Sequence, residues 1–172
     1  MAPPREILTY PDERLKRIAI PVEHFDSELT DFVAILEAAM RAGPAAVGIA
    51  APQIGEARRV IIVDASTRPK TSHPESSYHG RLVLVNPEIV AWEGSIVGRE
   101  GCLSVPDYTG NVLRAEHITV EALGDDGAPC RYDMEGFEAR VVQHEIDHLN
   151  GMLFLDRLVS CRNDLFRRKV YR

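Results

Sequence analysis

The chain has 172 residues and carries 20 Lys and Arg against 26 Asp and Glu, which gives a formal net charge of −6 at pH 7. Its content of 45% hydrophobic and 27% charged residues is that of an ordinary globular protein and excludes a disordered or fibrous chain. A chain of this length can bury a core of its own, so we expect residues 1–172 to form a single domain.

The distribution of charged and apolar residues disfavours several partners. Apolar runs such as residues 60–63 are far shorter than the roughly 18 residues that cross a bilayer, so we expect no membrane partner. The acidic balance gives no reason to expect duplex DNA. The cysteines are few and odd in number, and the first residues lack a hydrophobic leader, so we expect a reducing, cytoplasmic location.

The first part of the chain contains two helical patterns. A proline followed by two acids at residues 11–13 predicts a short helix through about residue 19, which Pro21 ends. Apolar side chains then recur at positions 29, 32, 33, 36 and 40, and Gly43 ends that pattern. This spacing predicts an amphipathic helix.

Residues 58–121 change to short β-branched runs separated by turn-forming residues. The runs at residues 60–63, 82–85 and 118–120 predict strands of a largely antiparallel sheet. Residues 66–80 are rich in Ser, Pro and His and predict a surface loop, whereas residues 123–127 predict a hairpin turn.

Helical spacing returns at residues 136–150 and stops at Gly151. Two opposite sides of this predicted helix are apolar or carry histidine, which is typical of a buried, central helix. The two stripes are Phe137, Val141, His144 and His148, and Ala139, Val142, Ile146 and Leu149. With a last short helix near the C-terminus, the order of elements predicts a single α+β domain, a mostly antiparallel sheet wrapped around the buried helix.

This buried helix also carries the strongest chemical signal, an H-E-x-x-H pattern at residues 144–148. His144 and His148 lie one helical turn apart and can hold one metal ion. Glu145 lies beside that ion, where a carboxylate can take up and release a proton. A chance meeting of these groups is the alternative, but burying three ionisable groups without a metal is costly.

An open catalytic metal site usually has three protein ligands. The residues after His148 contain no histidine, and their only acids are Asp156 and Asp164, so the third ligand is expected from upstream. Cys102 is the candidate, because Gly101 before it allows close backbone approach and a metal-bound thiol is deprotonated. An inert buried cysteine is the alternative.

Residues 46–55 form a third segment of interest. Small residues at every second position leave room for another backbone to lie close. Gln53 near the end of this segment has an amide that can donate a hydrogen bond to a developing oxyanion. A plain turn residue is the alternative interpretation of Gln53.

Together the three segments resemble the peptide deformylase family, whose motifs G-φ-G-φ-A-A-x-Q, E-G-C-φ-S and H-E-x-x-H occur in this order. Residues 100–104 and 143–148 match the second and third motifs in full. Residues 46–53 match the first motif except that Ala46 replaces its opening glycine. The likeness continues at residues 7–12 and 149–154 and so covers nearly the whole chain.

The resemblance implies hydrolysis of the N-formyl group from the formyl-methionine that begins newly synthesised polypeptides, with release of formate. Cys102, His144 and His148 would hold one divalent metal ion. The family favours Fe²⁺ in the cell, and Zn²⁺, Ni²⁺ or Co²⁺ are possible in purified protein because ligand type does not separate these ions.

The resemblance also implies roles around the ion. Gln53 and the backbone N–H of Leu103 would stabilise the oxyanion, Glu145 would protonate the leaving nitrogen, and Gly48 would bond the substrate through its main chain. Glu100 would orient its neighbours, with a simple surface acid as the alternative. The pocket for the first substrate side chain would be lined by Val47, Gly98, Phe137, Arg140 and Val141.

Two other functions share parts of this pattern. A metallopeptidase that cuts internal peptide bonds also uses H-E-x-x-H, although its usual downstream ligand is missing here. A non-catalytic metal-binding or ribosome-associated module could keep the fold, although every expected ligand is present.

The end of the chain is basic, and it predicts a solvated helix face. The alternative is contact with ribosomal RNA, which would suit a protein that acts on nascent chains. The basic residues are Arg162, Arg167, Arg168, Lys169 and Arg172. Cys130 and Cys161 have no partner at ligand spacing, and the sequence assigns them no role.

Overall fold

A computed structural model describes residues 4–67 and 78–169. Within these ranges the chain forms two α-helices, α1 (Ser27–Ala42) and α2 (Gly136–Leu149). The strands are β1 (Gly48–Ala50), β2 (Val60–Asp64), β3 (Arg81–Glu93), β4 (Ile96–Cys102), β5 (Val105–Arg114), β6 (His117–Leu123), β7 (Pro129–Glu135) and β8 (Leu165–Arg167).

The strands form two antiparallel sheets. The larger sheet has the order β1-β2-β3-β6-β7 and the smaller one the order β4-β5-β8. The prediction of an α+β fold with a largely antiparallel sheet is therefore confirmed. Strands β1 and β4 each lie at an edge of their own sheet, which leaves one side of each backbone available for another strand.

Strand β2 is covered on both faces, which explains its unbroken apolar sequence. Val60 and Ile62 belong to the cluster that contains the apolar side chains of α1. Ile61 and Val63 belong to the cluster that contains those of α2. Successive strand side chains point to opposite faces, so both sides of this strand must be apolar when helices cover both.

Helix α1 confirms the predicted amphipathic helix. The Asp26 carboxylate caps it by accepting a hydrogen bond from the Leu29 amide at 3.2 Å, which satisfies one of the free donors of the first turn. The predicted apolar positions are buried in one cluster with Ile49 and Val60. Gly43 follows as the C-terminal cap.

Helix α2 confirms the predicted buried helix. Ala139, Val142 and Leu149 are fully buried in the cluster shared with the larger sheet. The other side faces the smaller sheet, where the His144 ring meets Glu100 of β4. Gly151 has φ +75° just past the end of the helix, a conformation that L side chains rarely adopt, so glycine at this position lets the chain turn away.

The predicted helix over residues 11–19 is wrong in extent. Only a single 3₁₀ turn forms, Glu13–Lys16, with the Asp12 carboxylate as its cap. Beyond it the backbone makes tertiary bonds, since the Ala19 amide donates to the Leu149 carbonyl at 2.8 Å. These long-range bonds replace the helical ones.

The prediction of a solvated helix face in the basic C-terminal segment is also wrong. A short 3₁₀ turn lies earlier, at Phe154–Arg157, and the basic segment contains strand β8, which pairs with β5. Phe166 opposes Thr109 in that pairing. Pairing with the exposed side of β5 satisfies backbone groups and outweighs local helix propensity. Arg172 lies outside the described residues.

The predicted hairpin turn over residues 123–127 is confirmed. It joins β6 to β7, and the Gly124 amide donates to the Ala128 carbonyl at 2.9 Å. Most of the predicted loop over residues 66–80 lies outside the described residues. In the part of the chain that the structure describes, no helix is long and apolar enough to cross a membrane.

Candidate metal centre

Three buried side chains from two distant elements converge at the end of β4. Cys102 is the last residue of this strand, and His144 and His148 lie one turn apart on α2. One ligand atom from each residue lies within 4.8 Å of those of the other two. The Cys102 sulfur lies 3.4 Å from Nε2 of His148. The fold therefore brings together the three residues that the sequence predicted as metal ligands.

The donor set suits a divalent cation. A thiolate and two imidazoles are ligands for iron, zinc and related ions. Burial and the positive charge of His144 lower the pKa of His148 well below its ordinary value, so this imidazole is neutral, as a ligand must be. Burial alone would lower the pKa of His144, but hydrogen bonds with Cys102 and Glu100 raise it well above its ordinary value.

A metal ion would therefore take the place of a proton here. The hydrogen bonds with Cys102 and Glu100 that raise the pKa of His144 favour a positive charge beside the cysteine. Cysteine and histidine must be deprotonated to hold a metal ion, so metal binding displaces protons from this site. The residues present fit the ion that the sequence pattern predicts.

Glu145 is buried beside the histidines, with 5% of its surface exposed. Among the described residues its Oε2 atom has no hydrogen-bond partner. Burial raises the pKa of this carboxyl to about 7, although the nearby positive charge of His144 opposes the shift. Near neutral pH the group can therefore both accept and release a proton.

Gln53 is fixed by hydrogen bonds at both ends of its amide. Its Oε1 atom accepts from the Ala50 amide at 2.9 Å, and its Nε2 atom donates to Oγ of Ser104 at 3.1 Å. The same Nε2 atom lies 3.7 Å from the Cys102 sulfur. The 3₁₀ turn Ala51–Ile54 thus presents an oriented, buried donor to the metal centre.

Glu100 is a buried acid that three cationic groups share. It accepts two hydrogen bonds from Arg114, at 2.9 and 2.8 Å, and one from Arg140 at 2.7 Å. It also lies 2.8 Å from Nδ1 of His144, which leaves Nε2 of that ring for a ligand role. Burial opposes ionisation, but the hydrogen bonds with Arg114 and His144 hold the pKa of Glu100 well below its usual range.

This charged network extends further than the sequence suggested. Arg114 also donates to Asp147 at 2.6 Å, and Arg157 donates to the same carboxylate at 2.8 Å. Sequence reasoning missed Arg114, Asp147 and Arg157. A signal for Arg114 existed, because it lies in phase with the inward-facing positions 110 and 112 of β5.

A cleft of about 210 Å³ opens between the ends of β1 and β4, and Cys102 and His144 of the candidate metal centre line it. Of the predicted pocket residues, Val47, Phe137, Arg140 and Val141 line it together with Gly48 and Leu103. Gly98 is not among its lining residues. A β-carbon at this glycine would lie 2.7 Å from Cζ of Arg140, so the absence of a side chain at Gly98 leaves space for the Arg140 guanidinium.

Two larger grooves, of about 470 and 620 Å³, lie elsewhere on the described part of the molecule, and both include Trp92. Neither contains the converging cysteine and histidines. Among residues 4–67 and 78–169 the group of Cys102, His144 and His148 is the one set of three such donors close enough to share an ion.

Known proteins share this fold and these motifs. The family described as polypeptide deformylase matches residues 4–164. The peptide deformylase of Desulfotalea psychrophila is 41% identical over 165 residues, which cover 96% of this chain and 94% of that protein.

Solved structures of peptide deformylases are similar to this chain in both fold and sequence. A crystal structure of a peptide deformylase from Legionella pneumophila has a TM-score of 0.80 at 42% identity and covers 92% of this chain and 88% of its own. The Met-Ala-Ser bound crystal structure of a class I type b peptide deformylase from Acinetobacter baumannii has a TM-score of 0.82 at 40% identity, covering 92% of this chain and 100% of its own.

The fold and the site define a metal-dependent hydrolase of an amide bond. The chain belongs to the polypeptide deformylase family, and its reaction is the removal of the formyl group from nascent peptides. The family and the cluster of Cys102, His144 and His148 together support a divalent metal ion.

Proposed function

We propose that Cys102, His144 and His148 hold the divalent cation of this deformylase and that Glu145 carries the protons of the reaction. The observation that carries the proposal is the convergence of three buried donors within 4.8 Å, beside a buried carboxyl oxygen without a described hydrogen-bond partner. When bound, the cation supplies Lewis acidity and lowers the pKa of a coordinated water toward neutrality.

Glu145 first accepts a proton and later donates it. It accepts a proton from the attacking water as the water oxygen bonds to the formyl carbon. It then gives this proton to the amide nitrogen while the C–N bond breaks, so the products are formate and a free methionine amine. A carboxyl with a pKa of about 7 suits both steps near neutral pH.

Gln53 and Leu103 stabilise the negative charge that develops on the formyl oxygen. The Gln53 amide nitrogen is already aimed at the metal centre, because its oxygen is fixed by the Ala50 amide. Leu103 directly follows Cys102 in the turn between β4 and β5, so we expect its N–H to face the same centre. Donors held in place before the reaction need no reorganisation when charge develops.

The substrate peptide adds a strand in the cleft between the edges of β1 and β4. The main chain of Gly48 bonds to the peptide backbone. The methionine side chain enters among Val47, Phe137 and Val141, which line the cleft. The Met-Ala-Ser ligand of the related Acinetobacter baumannii structure supports a peptide of this kind.

Arg140 shapes the methionine pocket, and Gly98 leaves the space that the Arg140 side chain occupies. Arg140 lines the cleft, and its guanidinium is engaged by Glu100 and by the Ile96 carbonyl at 2.8 Å. The side chain is therefore fixed, so it shapes the pocket rather than offering a free charge. The absent side chain of Gly98 allows this position.

The ion in the cell is Fe²⁺ in this proposal. Sulfur and imidazole ligands suit both Fe²⁺ and Zn²⁺, and the family resemblance favours iron. An iron centre with a thiolate ligand is prone to oxidation, so protein purified in air would carry Zn²⁺, Ni²⁺ or Co²⁺.

Residues 1–172 act as one catalytic domain in the cytoplasm, where nascent formylated chains arise. The three free cysteines support a reducing location. Arg162 and Arg167, two exposed basic residues of the C-terminal segment, contact ribosomal RNA. This contact predicts that the double substitution Arg162→Gln and Arg167→Gln weakens co-sedimentation with ribosomes, whereas Arg131→Gln on β7 does not.

The proposal is tested by measuring metal content and formate release on the same anaerobically purified protein. Wild-type protein should bind about one ion per chain and release formate from formyl-Met-Ala-Ser. Cys102→Ala should lose both properties, whereas Cys161→Ala, at an exposed free cysteine, should keep both.

Two results would contradict the proposal. Cleavage of unformylated peptides without formate release would indicate an endopeptidase. Tight metal binding without turnover of any formylated peptide would indicate a metal-binding module that has lost catalysis.

A further inference from the structure

The rim of the substrate cleft carries two arginines that have no acidic partner among the described residues. Arg99 and Arg168 both line the cleft, and neither takes part in an ion pair within residues 4–67 and 78–169. Unpaired cations at the mouth of a binding cleft attract and orient anionic groups.

Arg99 is held in place without being neutralised. Its Nε atom donates to Oδ1 of Asn111 at 3.0 Å and its Nη1 atom to Oγ1 of Thr109 at 3.3 Å. Its guanidinium also stacks over the Phe166 ring, 3.7 Å from the ring centroid. These neutral partners fix the orientation of the side chain and leave its charge available.

Arg168 lies over the backbone just before Cys102. A β-carbon at Gly101 would overlap Nη2 of Arg168, so this glycine leaves the space that the guanidinium occupies. The Arg168 amide donates to the Asp107 carbonyl at 2.8 Å, which anchors the residue at the end of β8. The second cation is thus held against the strand that carries the ligand cysteine.

The other charged side chains of the cleft are paired with each other or buried at the metal centre. Arg140 is paired with Glu100 at 2.7 Å. Glu100 also holds Arg114, and Glu145 is buried at the metal centre. The acids that line the cleft therefore do not compensate its two rim arginines.

Strand geometry places both rim arginines on the outer face of β4. Side chains of a strand alternate between its faces, so Arg99 and the open side of Gly101 share one face. Glu100 and Cys102 face α2, where the methionine pocket lies. In a peptide added beside β4, the methionine side chain faces α2, and the next residue faces the arginines.

We propose that Arg99 and Arg168 bind the carboxylate of an acidic side chain directly after the formyl-methionine, so that nascent chains beginning Met-Glu or Met-Asp are preferred substrates. This inference rests on the proposed binding of the peptide between β1 and β4. It adds a specificity to the deformylase reaction that depends on residues outside the metal centre.

The test compares hydrolysis of formyl-Met-Glu-Ala-amide with that of formyl-Met-Lys-Ala-amide. The amide is essential, because a free C-terminal carboxylate on a short peptide could occupy the same arginines. We expect kcat/KM to favour the Glu peptide by about tenfold, since two exposed ion pairs replace two repulsive contacts. The preference should shrink at about 1 M salt, where the Debye length is only about 3 Å.

The variants Arg168→Gln and Arg99→Gln should each lower this ratio of Glu to Lys hydrolysis, and the double variant should bring it close to one. Using the ratio within each variant cancels any general loss of activity. Arg131→Gln, on an exposed arginine of β7, should keep the wild-type ratio. When the acid stands one position later, the preference should be small. The ratio of formyl-Met-Ala-Glu-amide to formyl-Met-Ala-Lys-amide hydrolysis should therefore lie close to one.

Three results would overturn the inference. The ratio could be close to one in wild-type protein, it could persist in the double variant, or the acid could be favoured only at the third position. Weaker ribosome co-sedimentation in Arg168→Gln with unchanged peptide ratios would assign the arginine to RNA instead. Turnover of formyl-Met-Ala-Ala-amide by wild-type protein tests the deformylase function separately from this preference.

Discussion

Gly48 lies directly against Glu145. A β-carbon at position 48 would lie 2.7 Å from Oε1 and 3.0 Å from Cγ of the Glu145 side chain. The glycine is therefore required by a neighbouring side chain, since it leaves the space that the proton carrier occupies. Strand β1 and helix α2 therefore pack so closely at this point that a methyl group does not fit between them.

Gly48→Ala should lower kcat for formyl-Met-Ala-Ser by about a hundredfold, because a displacement of about 1 Å in a catalytic group can cost that much. The bound metal should remain, since no ligand is touched. If the loss acts through the carboxyl group, Gly48→Ala added to Glu145→Gln should cost little beyond Glu145→Gln alone. Full additivity would show that the methyl group acts on the substrate and not on Glu145.

Glu145→Gln should lower kcat by about 10²- to 10⁴-fold, because the amide cannot accept the proton of the attacking water. The substitution keeps the size of the side chain, so the metal content measured on the same sample should stay near that of the wild type. Retention of activity above a tenth of the wild-type value would contradict the proton-carrying role.

Gln53→Ala should lower kcat by roughly a hundredfold or more through loss of one oxyanion donor. It should also destabilise the fold by about 1–3 kcal/mol, because the buried Ala50 amide loses its acceptor. Urea unfolding measures the second effect, and kinetics at low denaturant measures the first. A loss of stability with unchanged kcat would show that Gln53 only supports the 3₁₀ turn.

Arg114→Met should destabilise the protein by about 3–5 kcal/mol, because it leaves the buried carboxylates of Glu100 and Asp147 without their shared cation. Arg157→Met is the matched control, since Arg157 also contacts Asp147 but is 44% exposed. Its cost in urea unfolding should stay below about 1 kcal/mol. Similar costs for the two variants would argue against a special role of burial.

The ion pairs of Glu37 give a pH dependence of stability. Hydrogen bonds from Arg81, opposed by partial burial and supported by Arg41, lower the pKa of Glu37 from 4.5 to about 2. A depressed pKa means that the stabilisation is present above about 4.5, the value for the unfolded chain, and is lost as the pH falls toward about 2.

The stability difference between wild type and Glu37→Gln should therefore be largest near neutral pH, at no more than about 1 kcal/mol, and should vanish at low pH. Arg81→Gln should abolish most of the same difference in a double-mutant cycle. A difference that stays constant over this pH range would show that the ion pair is not its source.

Much of the fold could be predicted from local spacing. The apolar positions of α1 and α2 follow the 3.6-residue period, and the apolar run of β2 marks a strand buried on both sides. Predictions failed where a long-range partner decided the backbone conformation. The Ala19 amide bonds to the end of α2, and Phe166 pairs with Thr109, so both segments depart from their helical patterns.

The sequence by itself determined that His144 and His148 share one helix face, since four residues make about one helical turn. It also limited the third donor to upstream residues. Only the tertiary structure decided that the Cys102 sulfur meets this pair, that Arg114 joins Glu100 to Asp147, and that Arg168 lies over Gly101. These contacts join residues far apart in the chain, and no local period encodes which strand edge or helix face will meet another.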